Sequence, residues 1–247
     1  FICGKLIRDV VTVLISQSEA RQAETVKMVV RCIWWLLKWT IIISVFVFLM
    51  HYYMTNKHYV FNEDHLHTII KKNNGGTDVK AMYKKIYDEI NRQYPGRVLP
   101  EKDLQWMFIH SGGWIGSMCI LYGSTTEYLM FFGSAVQTAG HSGRYWANIT
   151  DYVVHGEFIS WDEGTFKTKV FKAGEKMPHA MWKASAIQFT GNTWMVEYGR
   201  GFIPSTLNLP ISSILFGTQD FVTLYKMFKV YFDCMVLDWG NYFATLS

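Results

Sequence analysis

The sequence predicts an α+β protein in which helices flank a block of short strands and an apolar helix lies near the N-terminus. Residues 32–54 are almost entirely apolar, residues 126–201 alternate β-rich stretches with glycine-containing turns, and the segments beside that block have helical spacing. Half of the 247 residues are hydrophobic, so the chain can bury a sizeable core. The predicted boundaries are an N-terminal extension at 1–31, a transmembrane helix at 32–54, a helical segment at 55–125, a barrel at 126–201 and C-terminal helices at 202–247.

Charge and cysteine patterns exclude several classes of function. The net charge is only +4 and the basic residues are scattered, so no basic stripe can follow a nucleic-acid backbone. Cys3, Cys32, Cys119 and Cys234 lack the Cys-x-x-Cys spacing of zinc and redox sites, and no glycine-rich phosphate loop precedes a predicted helix. We therefore expect no nucleic-acid partner, no metal and no cofactor.

Residues 32–54 are predicted to cross a membrane. Their only Asp, Glu, Lys, Arg or His side chains are Lys38 and His51, near the two ends, and about 20 apolar residues cross the hydrocarbon core. No small-residue cleavage site follows the run, so a retained anchor fits better than a signal peptide. More basic residues precede the span than follow it, which favours a cytosolic N-terminus and a lumenal body. Lys5–Lys27 has the spacing of an amphipathic helix on the membrane surface.

Two helices are predicted between the span and the strands, at Val60–Ile70 and Val79–Tyr94. Pro100 stands at a favourable first position for a further helix. The strands that follow are short and separated by glycine turns, which is typical of a small barrel or a sandwich. We predict them at Tyr128–Phe132, Tyr152–His155, Glu157–Trp161, Thr165–Phe171, Ala186–Phe189 and Thr193–Tyr198.

The C-terminal region is predicted to be helical. Thr218 is a plausible N-cap for a helix that runs toward Leu246, and Pro210 is expected to kink or end an earlier helix. The later helix has a wide apolar stripe that needs cover, either from the barrel or from a membrane. The stripe consists of Phe221, Leu224, Tyr225, Phe228, Tyr231 and Phe232.

Glu197 is the most informative residue because it interrupts an apolar strand. Alternation along the strand places it on the same face as Thr193 and Met195, with Trp194 and Tyr198 opposite. Since an unpaired carboxylate is costly to bury, that face must meet either solvent or a cavity.

Two segments carry a family resemblance, Asn192–Leu207 (NTWMVEYGRGFIPSTL) and Gly140–Ala147 (GHSGRYWA). They resemble the family that contains the fungal sterol C-8 isomerases and the sigma-1 receptors, and the likeness extends over roughly residues 59–245. This resemblance implies a cupin-like barrel, C-terminal helices beside the membrane, residence in the endoplasmic reticulum or the nuclear envelope, and trimers or larger homo-oligomers.

The resemblance also implies a site. In the family, the residue that matches Glu197 binds the amine of a ligand, and the residue that matches Asp151 is hydrogen-bonded to it. We therefore expect a hydrophobic amine or a sterol to bind in an apolar cavity. Its further lining is expected to be Tyr128, Met130, Phe132, Ile109, Trp114, Met118, Tyr145, Ile149, His179, Phe189, Thr206, Leu207 and Tyr231.

Two functions remain open at this stage. A receptor would bind cationic amphiphiles or sterols and modulate other membrane proteins without catalysis. A sterol Δ8–Δ7 isomerase would use Glu197 and Asp151 as catalytic acid and base. The motifs Arg144-Tyr145-Trp146 and Glu197–Gly201 resemble the receptor branch, which favours the receptor.

Overall fold

The computed structural model describes the backbone of residues 2–244 and the side chains of residue 21 and residues 24–244. It divides into two compact units, one that ends at Asn56 and one that begins at Lys57.

The first unit is a single helix, α1 (Ile2–Asn56). Its stretch Glu24–Asn56 contains an 18-residue window with a mean hydropathy of 2.1 and is long and apolar enough to cross a membrane. This stretch contains the predicted span 32–54. Apolar side chains are exposed along this stretch, with Trp34 at 68%, as in helices that are hydrophobic all round. The amphipathic face predicted for Lys5–Lys27 falls mainly on side chains outside the described residues.

Two capped helices, α2 (Glu63–Asn73) and α3 (Val79–Gln93), open the second unit. The side chain of Asn62 accepts a backbone N–H hydrogen bond at 3.0 Å, and Asp78 accepts one at 3.2 Å. Helix α2 therefore begins three residues later than predicted, because Asn62 supplies its N-cap. Both helices bury an apolar face against the larger of the two sheets.

Ten strands follow, all paired antiparallel. They are β1 (Trp106–Ser111), β2 (Trp114–Gly123), β3 (Glu127–Ser134), β4 (Gln137–His141), β5 (Ala147–His155), β6 (Glu157–Asp162), β7 (Lys169–Lys172), β8 (Lys176–His179), β9 (Ser185–Thr190) and β10 (Thr193–Gly201). The larger sheet has the order β1-β2-β3-β10-β5-β8, and the smaller has the order β4-β9-β6-β7. The sheets face each other in a barrel, since Phe132 of the larger packs against Phe189 of the smaller with ring centroids 5.8 Å apart.

The strand predictions agree with the structure over residues 126–201, where every predicted strand overlaps an observed one. The strand predicted at Thr165–Phe171 is shorter, because Thr165 N donates to Asp162 O at 3.1 Å and closes a turn before β7 begins. Strand β4 was not predicted, since its small and polar residues give no hydrophobic alternation.

The helical prediction for 55–125 is wrong over its last part, where β1 and β2 form a hairpin. Gly112 and Gly113 make its turn with φ of +57° and +99°, a conformation that glycine adopts without strain and that two-residue hairpin loops require. The barrel therefore begins at Trp106 rather than at residue 126. Pro100 starts only a short 3₁₀ turn, Glu101–Asp103.

Strand β10 follows the predicted alternation. Val196 and Tyr198 belong to the core beneath α2 and α3, whereas Met195 belongs to the core between the sheets. Glu197 lies on the same side of the strand as Met195 and so faces the barrel interior.

Two helices close the chain, α4 (Asn208–Ser213) and α5 (Phe221–Ala244), joined through a turn of π-helix. Pro210 does not kink α4, because it lies in the first turn, where its missing N–H has no partner to lose. The predicted N-cap at Thr218 is wrong. Asp220 has that role, since its carboxylate accepts a hydrogen bond from Thr223 N at 3.0 Å.

The apolar stripe predicted on α5 divides between two environments. Leu224 and Tyr231 pack against the barrel, where the helix also buries Met227 and Val230. The remaining stripe residues are exposed. The barrel therefore covers only part of the stripe that was predicted to need cover. The exposed members are Phe221 at 61%, Tyr225 at 69%, Phe228 at 48% and Phe232 at 59%.

Candidate functional site

The candidate site is built around two carboxyl groups on adjacent strands. Glu197 on β10 is directly opposite Asp151 on β5 in the antiparallel register, so both side chains leave the sheet on the same side. On its other edge Glu197 is opposite Met130 of β3. The two carboxyls therefore meet at the centre of the larger sheet, facing the barrel interior.

Each carboxyl has one hydrogen-bonding neighbour outside the pair. The hydroxyl of Tyr128 donates to Glu197 Oε1. His179 Nε2 lies 2.8 Å from Asp151 Oδ2 and donates to it when that nitrogen carries the proton. Asp151 Oδ1 is buried, and no donor reaches it from the described residues while both groups are ionised.

Burial raises the pKa of Glu197 well above its usual range, and the nearby charge of Asp151 raises this pKa further. The hydrogen bond from Tyr128 opposes these effects only in part. Glu197 therefore retains its proton at a pH where an ordinary glutamate has lost it. That proton lies within hydrogen-bonding reach of Asp151, so the protonated pair shares one negative charge and supplies the donor that Asp151 lacks.

The exposure of the two carboxyls differs, although both residues line the cavity. Asp151 is 2% exposed, whereas Glu197 keeps an intermediate accessible surface although protein atoms surround it. That surface belongs to the cavity that both residues line. An added molecule would therefore reach Glu197 first.

The cavity has a volume of about 120 Å³, room for roughly ten waters at the 10–15 Å³ that one water needs. Almost all the residues predicted for the site line this cavity, and apart from the carboxyl pair its lining is mainly apolar or aromatic. The predicted residues that line it are Glu197, Asp151, Tyr128, Met130, Phe132, Ile109, Trp114, Met118, Tyr145, Ile149, His179, Thr206, Leu207 and Tyr231.

Phe189 is the predicted site residue that does not line the cavity. It is fully buried on β9, with its ring centroid 5.3 Å from Trp114 and 5.0 Å from Phe158. Phe158, Trp114 and Phe132, which the ring of Phe189 contacts, all line the cavity. Phe189 therefore supports the wall from behind.

Several lining residues were missed by sequence reasoning. Ile187 lies on the same face of β9 as Phe189, so strand alternation could have identified it. Met227 precedes Tyr231 by one helical turn on α5 and shares its face, which is a comparable signal. Lys183 and Phe158 carried no such signal, because the first lies in a loop and the second faces inward only through the pairing of β6 with β9.

Besides the carboxyl pair, the sequence contains two further kinds of candidate site, several histidines that could bind a metal and the N-glycosylation motif Asn148-Ile-Thr150. No group of three or more His, Cys, Asp or Glu side chains that could bind a metal occurs in the described part of the chain. In the Asn148-Ile-Thr150 glycosylation motif, Asn148 Oδ1 accepts a hydrogen bond from Met181 N at 2.9 Å. Thr150 donates to Glu63 Oε1 at 2.8 Å, so both polar side chains of the motif already have partners.

The barrel has a carboxyl pair in a mainly apolar cavity, and the chain also has an apolar helix long enough to cross a membrane. These features define an α+β protein with a candidate membrane helix and an acidic pocket. Residues 37–241 match the family described as "ERG2 and Sigma1 receptor like protein". The chain belongs to this family.

Relatives from both branches of the family are similar to the chain. The sigma non-opioid intracellular receptor 1 of Taricha granulosa is 43% identical over 83% of this chain and 92% of its own length. The C-8 sterol isomerase erg2 of Aspergillus fumigatus is 32% identical over 70% of this chain and 72% of its own length. Among solved structures, an RmlC-like cupin from Shewanella frigidimarina covers 42% of this chain and 94% of its own, with 14% identity and a TM-score of 0.36.

Proposed function

We propose that the barrel cavity binds hydrophobic amines or sterols and that the protein acts as a receptor that modulates other membrane proteins. The observation that carries the proposal is the carboxyl pair, Glu197 with Asp151, in a cavity that is otherwise mainly apolar. A pair that shares one negative charge matches a protonated amine, which brings one positive charge and hydrogen-bond donors. Aromatic rings near the pair, such as Tyr128 and Tyr145, add cation–π attraction.

The proposal is tested by measuring the affinity of a labelled cationic amphiphile for the full chain in lipid nanodiscs. Glu197→Gln keeps the size of the side chain but removes its ability to carry charge. We expect it to weaken binding about 10- to 100-fold, the range for a lost charge-assisted hydrogen bond. Glu157→Gln, on β6 outside the cavity, is the matched control and is expected to bind as the wild type does. Equal affinity of Glu197→Gln and wild type would refute the role of the pair.

An alternative function is supported by the same pair, namely Δ8–Δ7 sterol isomerisation. Protonated Glu197 would give its proton to a carbon of the Δ8 double bond, which forms a carbocation. A carboxylate would then take a proton from the neighbouring carbon, and the double bond would move to Δ7. Anionic groups in a cavity of low polarity stabilise such a cation.

Expression in a yeast strain that lacks its C-8 isomerase separates the two functions. Conversion of Δ8 sterols by the wild type but not by Glu197→Gln would establish the isomerase. Tight amine binding on the same membranes without any conversion would establish the receptor.

The proposed setting is the endoplasmic reticulum membrane, with α1 as the anchor and the barrel in the lumen. The exposed aromatic side of α5 supports contact of this helix with lipid. Trp239 and Tyr242 extend this aromatic side toward the end of the helix and are 50% and 59% exposed. Protease protection in microsomes checks the orientation: an antibody tag after Ala244 should resist added protease, and a tag before Phe1 should be cleaved. The opposite pattern would invert the proposed topology.

Homo-oligomers, trimers in particular, are proposed through the barrel. Phe108 and Ile115 lie on the same side of the β1–β2 hairpin and are 70% and 43% exposed, an arrangement that favours contact with another apolar surface. Light scattering in detergent should give the mass of several chains for the wild type and a smaller mass for the double variant Phe108→Ser with Ile115→Ser. An unchanged mass would place the interface elsewhere.

A further inference from the structure

The cavity lining contains a positively charged side chain that neither the acid pair nor the hydrogen-bond network uses. Among the described residues Lys183 is the only Lys or Arg that lines the cavity. Its side chain is exposed, so it marks the rim where the cavity meets solvent. The ammonium group of Lys183 has no ion pair with any described acidic residue.

The loop that carries Lys183 is held in one position by hydrogen bonds and a ring contact. It joins β8 to β9 and is closed internally by a hydrogen bond from Lys183 N to Ala180 O at 3.0 Å. Trp182 has a φ of +62°, which is uncommon for a residue other than glycine and requires support from its surroundings. That support is a set of contacts to residues 144–148. They are Trp182 N to Tyr145 O at 2.9 Å, Arg144 Nη1 to Trp182 O at 2.9 Å, Met181 N to Asn148 Oδ1 at 2.9 Å, and the stacking of Trp182 on Trp146 at 6.4 Å.

The cavity therefore has groups of opposite charge in two places. The carboxyl pair lies on the inner face of the larger sheet, and the ammonium of Lys183 lies at the rim. A ligand that reaches from the carboxyl pair to Lys183 would therefore find a partner for a positively charged group inside the cavity and a partner for a negatively charged group at the rim.

We propose that Lys183 determines ligand specificity by binding an anionic or strongly hydrogen-bond-accepting group at the end of the ligand that is remote from its amine. The favoured ligand class is an elongated amphiphile with an amine at one end and an anion at the other. Compounds with a second amine at the far end are disfavoured by repulsion from Lys183. This inference rests on the proposed binding of amines at the carboxyl pair.

Three series of probes with equal chain lengths, from octyl to hexadecyl, test the proposal. They are alkylamines, ω-amino acids and α,ω-diaminoalkanes, each competing with the labelled amphiphile on the full chain in nanodiscs. The measured quantity is the ratio of the dissociation constant of the diamine to that of the amino acid. Partition into the lipid is the same for every variant and cancels when ratios are compared.

We expect the wild type to bind the amino acid more tightly than the diamine, and we expect Lys183→Met to reduce the ratio several-fold. Lys183→Glu should reduce the ratio at least tenfold, because a carboxylate at this position repels the anion of the amino acid and attracts the second amine of the diamine. The affinity of the plain alkylamine should change least. Lys167→Glu, an exposed lysine in the β6–β7 turn outside the cavity, should leave the ratio unchanged.

A ratio that stays the same in Lys183→Met and Lys183→Glu, while the labelled amine binds normally, would overturn this inference and leave the proposed function intact. Failure of the wild type to bind the labelled amine would instead overturn the proposed function, and this inference with it. Because Lys183 is exposed, thermal unfolding of each variant should match the wild type and so confirm that the ratio reports on binding.

Discussion

Glu127 and Glu197, on the neighbouring strands β3 and β10, are two enclosed carboxyl groups with opposite surroundings. Glu127 is fully buried and accepts hydrogen bonds from Val60 N and Phe61 N, both at 2.9 Å, and from the hydroxyl of Tyr198 at 2.7 Å. Glu197 accepts one hydrogen bond from a tyrosine, faces a second carboxyl and opens to a cavity. The first has its donors supplied by the protein, whereas the second has room for a donor that the protein does not supply.

Hydrogen-bond donors distinguish Glu127, a structural acid, from Glu197, the acid proposed to bind a ligand. Burial raises the pKa of both groups, so the direction of the shift does not distinguish them. The donors do: backbone N–H groups lower the pKa of Glu127 and stabilise its charge, while the neighbouring charge of Asp151 raises that of Glu197. We conclude that unsatisfied surroundings, rather than burial, indicate the site.

Removal of Glu127 should give the largest loss of stability. Glu127→Ala leaves Val60 N, Phe61 N and the Tyr198 hydroxyl without their acceptor inside the core, which should lower the free energy of unfolding by about 3–5 kcal/mol. Denaturant unfolding in detergent measures this loss. Glu101→Ala, at an exposed carboxylate, is the control and should change little. A loss for Glu127→Ala no larger than the control's would contradict the structural role.

Two tyrosines sharpen the comparison, because each donates to one of the two carboxyls. Tyr198→Phe removes a donor from Glu127 in the core and should cost about 1–3 kcal/mol of unfolding free energy. Tyr128→Phe removes the donor to Glu197 beside the cavity, where water or a ligand can replace it, and should cost about 0.5–1.5 kcal/mol. Unfolding of the two variants under the same conditions shows which one loses more stability. A larger loss for Tyr128→Phe than for Tyr198→Phe would contradict the structural role assigned to the carboxyl of Glu127.

Substitution of Glu197 itself should alter stability least among the acids. Like protonated Glu197, the glutamine of Glu197→Gln is neutral, can donate a hydrogen bond toward Asp151 and can accept the one from Tyr128, so we expect the unfolding free energy to stay within about 1 kcal/mol of wild type. Thermal unfolding without ligand checks this result. A loss comparable to that of Glu127→Ala would make Glu197 a structural acid as well.

The dependence of stability on pH gives the finest test. Since the pKa of Glu197 is higher in the folded than in the unfolded chain, the folded state holds the proton more tightly. The stabilisation is therefore complete below the ordinary glutamate pKa of about 4.3 and is lost as pH rises through the raised value. The unfolding free energy of the wild type minus that of Glu197→Gln should therefore fall with increasing pH. A difference that does not vary with pH would contradict the raised pKa.

The sequence indicated most strands and about half of the residues that line the cavity, and it did so by two routes. Alternation correctly assigned the two faces of β10. Family resemblance supplied the predicted lining residues, of which Phe189 does not line the cavity but contacts Phe158, which does. The hairpin β1–β2 was missed although Gly112-Gly113 is a typical turn signal, because the apolar segments beside it also fit a helix.

The sequence by itself determined the local properties of this protein. The apolar content of 32–54 gives a helix that is long and apolar enough to cross a membrane, and the strand pattern around Glu197 requires that this carboxyl meet solvent or a cavity. These properties depend only on residue type and on the period of the backbone.

Only the tertiary structure decided which charges meet. The β5–β10 register places Asp151 opposite Glu197, and the β8–β9 loop brings Lys183 to the rim of the same cavity. Glu127 acquires donors from a segment more than sixty residues earlier in the chain. Pairing between distant segments follows from packing and from the need of buried polar groups for partners, and no local period of the sequence encodes it.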